Sequence, residues 1–236
     1  MVSVTRPWRV MELRIDPLTG VTYMKRRFFG KLGTSLLTGL ALAGACMAQT
    51  GDEAPETLVK RLSTDVLESI RADKSIQTGD TAKVVTLVET KIMPNVNFER
   101  MTSSAVGPGW RQATPEQKKR LQEEFKILLV RTYAGALAQV NDQTISVKPL
   151  RAAPDDKEVV VKTEIKGRGE PIQLDYRLEK TPGQGAGWKI YNLNVLGVWL
   201  VETYRSQFAQ EINAKGLDGL IASLTERNKT NAKKVS

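Results

Sequence analysis

The spacing of the apolar residues changes twice along this chain. From Pro55 to about Val140 large apolar side chains recur every three or four residues. From Ile145 to Val195 they alternate every second residue, and from Val198 the longer spacing returns. A repeat near 3.6 is a helix with one buried stripe; a repeat of two is a strand with one buried face. Helices, then strands, then helices do not supply the strand–helix–strand alternation that a parallel sheet requires. The pattern predicts an α+β domain: an antiparallel sheet of about four strands with helices curled over one face.

The individual segments support this order. Pro55 suits a first helical turn, and Leu58, Val59, Leu62, Val66, Leu67 and Ile70 follow at helical spacing. Thr78-Gly79-Asp80 ends that helix. Val84, Val85, Leu87, Val88 and Ile92 mark a second, closed by Pro94, and a short third piece carries Phe98 and Met101. The strongest local signal is Thr114-Pro115-Glu116-Gln117, in which Thr114 caps, Pro115 opens the turn and Gln117 completes a capping box. A long amphipathic helix is predicted over about 115–140, with Lys118, Lys119, Glu123 and Glu124 on its polar face. Strands are expected around Val159–Ile165, Ile172–Leu178 and Trp188–Val195, with Ile145 and Val147 in a further one. The connections are short, which fits a meander. Asp175, Arg177 and Glu179 read as its solvated face. Val198, Val201, Tyr204, Phe208 and Ile212 then define a late helix, and Leu217, Leu220, Ile221 and Leu224 a last one. The polar, basic tail from Asn228 is expected to fray.

Composition removes many chemistries. Among the 236 residues there is no histidine and one cysteine. Ser-His-Asp and Cys-His catalysis, histidine-ligated metals, cysteine clusters and an intrachain disulfide are all excluded. No cofactor or metal is expected. The net charge of +9 suggests an anionic partner, but much of it lies near the N-terminus. Residues 49–236 carry 28 Lys and Arg against 24 Asp and Glu. That balance removes most of the case for nucleic acid.

The N-terminal excess has its own explanation. Met24-Lys25-Arg26-Arg27-Phe28-Phe29-Gly30-Lys31 is a basic stretch, and the apolar or small run Leu32–Ala45 that follows is only 14 residues long. A bilayer span needs about 20. With small residues ending at Ala48, the segment reads as a cleaved signal peptide over 24–48. Arg26-Arg27-Phe28-Phe29-Gly30-Lys31 also fits the twin-arginine export pattern, beside the general secretion route. Ala43-Gly44-Ala45-Cys46 approaches a lipoprotein cleavage box, so lipidation of Cys46 stays open. Residues 1–23 read as an upstream extension with Met24 the initiator. The remainder, 49–236, reads as a single domain exported to the periplasm.

One set of separated motifs is not generic. It comprises Ile92, Pro94, Phe98 and Met101, then Trp110-Arg111-Gln112-Ala113-Thr114-Pro115-Glu116-Gln117. It continues with Phe125, Leu128-Leu129-Val130-Arg131-Thr132-Tyr133, Trp188-Lys189-Ile190-Tyr191, Gly197-Val198, Tyr204-Arg205 and Phe208. In this order they resemble the MlaC family of periplasmic phospholipid-binding proteins, also called the toluene-tolerance family, over about residues 54–226. Where Trp199 stands, the family usually has a small residue. The resemblance implies a nuclear-transport-factor-2-like core with extra helices that encloses an apolar cavity. It also implies a phospholipid carrier between the outer membrane and an inner-membrane ABC transporter, which maintains outer-membrane lipid asymmetry. The implied partners are that transporter complex, an outer-membrane lipoprotein complex and, transiently, a membrane; the carrier itself is expected to be a monomer.

A carrier must bury acyl chains. At about 0.8 kcal/mol per methylene, some 30 methylenes represent about 24 kcal/mol of exposure to water. The candidate lining from the helical half is Met101, Trp110, Phe125, Leu129, Tyr133 and Leu137. The sheet offers Leu174, Tyr176 and Ile190, and the late helices Val198, Val201, Tyr204, Phe208, Leu220 and Ile221. Each of these could equally fill a core. Arg111, Arg131 and Arg205 are candidates for a phosphate. The alternative function is an exported enzyme of a cone-shaped α+β fold acting on a small apolar substrate. Such an enzyme would need convergent acid and base groups drawn from Asp, Glu, Tyr or Lys.

Overall fold

The computed structural model describes residues 53–153, 155–167 and 170–235. The expected signal peptide, the upstream extension and Cys46 lie outside the described residues.

Helix α1 spans Pro55–Ala72, with Pro55 in its first turn. Short helices α2 (Lys74–Gln77) and α3 (Thr81–Leu87) follow, capped by Asp73 and Asp80. The chain then widens into a π-turn over Val88–Ile92 and tightens to a 3₁₀ turn at Met93–Asn95. The second apolar stretch is therefore shorter as an α-helix than its spacing suggests. Helix α4 (Phe98–Val106) is capped by Asn97. Helix α5 runs Pro115–Ala138 and carries the expected capping box, with Thr114 Oγ1 accepting from Gln117 N–H and Gln117 Oε1 from Thr114 N–H.

The sheet has five antiparallel strands in sequential order: β1 (Thr144–Val147), β2 (Glu158–Lys166), β3 (Ile172–Lys180), β4 (Trp188–Val195) and β5 (Val198–Trp199). Two residues are too few to show a period, which is why β5 is not visible in the sequence. Val198 therefore belongs to a strand and not to the late helix. The β3–β4 register shifts by one residue: Arg177 faces Asn192 while Leu178 faces Ile190, leaving Tyr191 as a bulge. A one-residue shift exchanges the two faces of a strand. Ile190 and Leu193 thus share the face of Tyr176 and Leu178, although their spacing is odd. Asn192 and Asn194 turn to the other face and are buried there.

That second face is not solvated as expected. Asp175 is buried and accepts from Thr163 N–H (3.2 Å) and from the Gln173 amide (2.7 Å). Glu179 accepts from Asn97 and Arg100, and the Arg100 guanidinium lies 3.7 Å from the Tyr191 ring centre. Arg177 pairs with Glu202 and stacks on Trp199 at 3.9 Å. Charged side chains at alternate positions were covered by partners from distant parts of the chain.

Helix α6 spans Leu200–Val235 and is broken at Gly216, whose φ of 70° and ψ of −174° are not helical. The tail is a correction too. The backbone stays helical to Val235, and Asn228 is buried, donating to Glu124 Oε2 at 2.7 Å. No described helix is long and apolar enough to cross a membrane.

Candidate functional site

The buried apolar residues form three clusters. The first joins α4, α5 and α6 and is built on rings. Phe125 is fully buried; Tyr204 meets it edge-on at 4.9 Å and Phe208 at 5.3 Å, with Phe98 at 5.8 Å. Such offset and edge-on pairs are favoured over stacked faces. Met101, Val201, Leu220 and Ile221 are buried around these rings, and Trp110, Leu129 and Tyr133 pack half-buried at the border. Burial raises the phenol pKa of both Tyr133 and Tyr204, so these hydroxyls stay neutral.

The second cluster lies between the sheet and α1. Val161, Tyr176, Leu178 and Ile190 pack on Leu58, Val59 and Leu62, with Leu174 half-buried beside them. The Tyr176 hydroxyl reaches Ser63 at 3.2 Å, and burial pushes its pKa up to about 12. Ser63 carries no sequence signal that would have linked it to Tyr176. Leu137 belongs to a third cluster, with Ile70, Ile76, Val84 and Leu87.

The fifteen candidate lining residues thus separate: ten join the ring cluster, three the sheet cluster and Leu137 the third. Val198 joins none and is 52% exposed; its contribution to an inner lining is corrected on that ground. Val96 and Leu193 touch both the ring cluster and the sheet cluster. With Val195 of β4, which packs on the ring cluster, they form the apolar seam between the helical half and the sheet.

Two of the grooves on the described residues bear on the candidate residues. One, of about 290 Å³, runs between α3, the π-turn and α5 past Val85, Ile127 and Val130. The other, of about 680 Å³, lies between the start of α5 and the second half of α6. Of the fifteen candidate lining residues only Ile221 borders either of these, the second, while Arg131, a candidate for a phosphate, borders the first. Between α4, α5 and α6 the rings of Phe98, Phe125, Tyr204 and Phe208 are in contact with one another.

Polar groups near these clusters have structural partners. Arg131 donates to the Asn228 carbonyl, tying α5 to the second half of α6. Arg111 and Arg205 are exposed. Asn192 Oδ1 accepts from Val201 N–H at 3.1 Å, satisfying a donor in the first turn of α6, while its amide donates to Glu202 at 2.8 Å. Sequence reasoning missed Asn192, Asn228 and Glu124. Among the described residues no group of three acidic or cysteine side chains is arranged to hold a metal.

The family model for the MlaC protein matches residues 60–226, which reaches from within α1 to the second half of α6. The chain belongs to the MlaC family. This MlaC-family chain is 29% identical over 179 residues to the toluene tolerance protein ttg2D of Pseudomonas putida, covering 75% of this chain and 81% of that one. It is 25% identical over 195 residues to the intermembrane phospholipid transport system binding protein MlaC of Haemophilus influenzae, covering 82% and 89%. A phospholipid-binding protein from Ralstonia solanacearum, solved in complex with a phospholipid, superposes with a TM-score of 0.72 at 48% identity. The match covers 75% of this chain and 98% of that one. The α+β fold with its antiparallel sheet is therefore the fold of a lipid-binding relative.

Proposed function

We propose that this protein is a phospholipid carrier. The observation that carries the reading is the 48% identity, over 98% of its length, to a relative solved with a phospholipid bound. The ring and sheet clusters supply the apolar surface that acyl chains need. Separation of the two halves along the apolar seam at Val96, Leu193 and Val195 would open room for acyl chains, against the Asn192–Val201, Arg177–Glu202 and Arg100–Glu179 ties between sheet and helices. The headgroup stays in water and needs no dedicated charge. The carrier works in the periplasm after export through its N-terminal segment. It passes lipid between the outer membrane and an inner-membrane ABC transporter, and serves outer-membrane lipid asymmetry. Phospholipid is cargo and not a cofactor, and no catalytic step is assigned. Export of residues 49–236 is supported by the order of basic, apolar and small residues in 24–48.

Native mass spectrometry of the exported protein, followed by lipid extraction, tests the reading. The expected spectrum shows one or two phospholipids per monomer. A protein that emerges lipid-free and takes up no labelled phospholipid is not a carrier.

A further inference from the structure

Apolar side chains on one face of the sheet become steadily less buried toward one end. On β3, Leu178 and Tyr176 are buried, Leu174 is half-buried and Ile172 is 42% exposed. On β2, Val161 and Thr163 are buried and Ile165 is half-buried. On β4, Ile190 is buried while Leu193 and Val195 are half-buried, and Val198 of β5 pairs with Val195. The gradient ends at the β4–β5 turn, where Leu196 is 65% exposed, more than any other large apolar residue described. Ile165, Ile172, Leu196 and Val198 belong to none of the three clusters.

Leu196 is also in an unfavourable backbone state. With Val195 paired to Val198, Leu196 and Gly197 are the two central residues of the turn, at φ +52° and +86°. Two left-handed residues suit the twist of a hairpin, and Asn or Asp is the usual first member. A leucine there gains neither burial nor a favoured conformation. It is nevertheless held: Leu196 N–H donates to the Gln173 carbonyl at 3.0 Å and Gly197 N–H to Asn194 Oδ1 at 2.9 Å. The turn presents a large apolar side chain to its surroundings in a fixed pose.

We propose that this end of the sheet is the surface through which the protein meets a lipid bilayer, with Leu196, Val198 and Ile172 entering the interfacial layer. The proposal rests on the carrier reading and gives its cargo a route, since the same face leads inward to Tyr176 and Leu193. Three aliphatic side chains fall far short of the roughly 1,600 Å² that a stable protein interface buries. They also include none of the Trp, Tyr or Arg anchors such interfaces favour. A bilayer needs no shape match, and a few aliphatic side chains give the weak, reversible contact that a shuttle requires. Charge is not the driving force. Glu164 lies 2.6 Å from Lys148 and 3.9 Å from Lys166, so these three neighbouring groups leave a single net positive charge.

The test is a Leu196→Asn, Val198→Ser double variant, in which asparagine accepts the left-handed backbone. Uptake of fluorescent phosphatidylglycerol is timed from vesicles of phosphatidylethanolamine and phosphatidylglycerol, and separately from detergent solution. The variant should melt at or above the wild-type temperature and load from detergent at the wild-type rate. From vesicles it should load about tenfold more slowly or worse, at low and high salt alike. Unchanged vesicle uptake overturns the proposal. So does loss of uptake from both sources, which would put these residues in the cargo site, and so does a defect that vanishes in high salt. A slowdown confined to membranes bearing the ABC transporter would make the turn a protein contact and overturn it as well. Should the wild-type protein load from neither source, the carrier reading itself fails, a result distinct from all of these.

Discussion

Val201 and Leu129 belong to the same ring cluster at different depths: Val201 is 7% exposed, whereas Leu129 sits half-buried at the border. A charge at Val201 would be enclosed by close-packed rings with no water to solvate it. Val201→Glu is expected to cost about 3–5 kcal/mol, measured by urea denaturation. Leu129→Glu can turn its carboxylate outward, so it should keep the fold and lose lipid in native mass spectrometry. A Leu129→Glu protein that folds and still carries lipid would remove Leu129 from the site. A second residue-scale expectation concerns Glu158, which accepts from Arg100 and from the Tyr191 hydroxyl at 2.8 Å. The Arg100 bond first, and the tyrosine second, hold this carboxyl below its ordinary value of 4.5. A lowered folded pKa contributes stability that is complete above the unfolded value and is lost as pH falls through the folded one. Thermal melts should therefore decline below about pH 4.5. Arg100→Gln should begin lower at neutral pH and decline less over that range; an equal decline in both proteins would show that this pair is not the source.

Helix α6 is the element where local and distant forces divide most clearly. Its first part is fixed by Asn192, which occupies the Val201 N–H, and by the Arg177–Glu202–Trp199 group at the sheet edge. Its second part is fixed by α5, through Gln117 to Asp218 (2.7 Å), Glu124 to Thr225 (2.7 Å) and Asn228, and Arg131 to the Asn228 carbonyl. Gly216 reconciles the two directions. Its φ of 70° with an extended ψ is a conformation that only glycine adopts readily. No heavy atom lies within 4 Å of a Cβ built there, so the constraint is the backbone and not space. Gly216→Ala is expected to cost about 1–3 kcal/mol in chemical denaturation, whereas the same change at Gly135, which is equally uncrowded but has no positive φ, should be neutral or stabilising. Equal effects at the two positions would show that the kink is unstrained.

At the scale of the molecule, two of the three cores, the ring cluster and the sheet cluster, meet along a seam. The ring cluster holds the helices together, the sheet cluster holds the strands to α1, and Val96 and Leu193 join them. A carrier needs this division, because a single close-packed core could not admit acyl chains without losing contacts throughout. The exposed end of the sheet is the surface proposed to meet a bilayer, and no helix among the described residues is long and apolar enough to cross one.

The sequence by itself determined what depends on near neighbours and on repeat length. The change of apolar spacing set the α+β class, the Thr114–Gln117 box set the start of α5, and the ordered motifs around Trp110 and Phe125 set the family. Tertiary structure decided what depends on pairing across the chain. The bulge at Tyr191 reversed the faces of β4, which buried Asn192 and Asn194 and brought Leu193 to the apolar side. Val198 lies in the sheet and not in the helix because it pairs with Val195 across the β4–β5 turn, and a two-residue strand has no period to reveal it in the sequence. Asn228 was buried because Glu124 and Arg131, about a hundred residues earlier, offered it partners. Periodicity reports which way a side chain faces within its element; how deeply that face is covered is fixed only when distant elements pack against it.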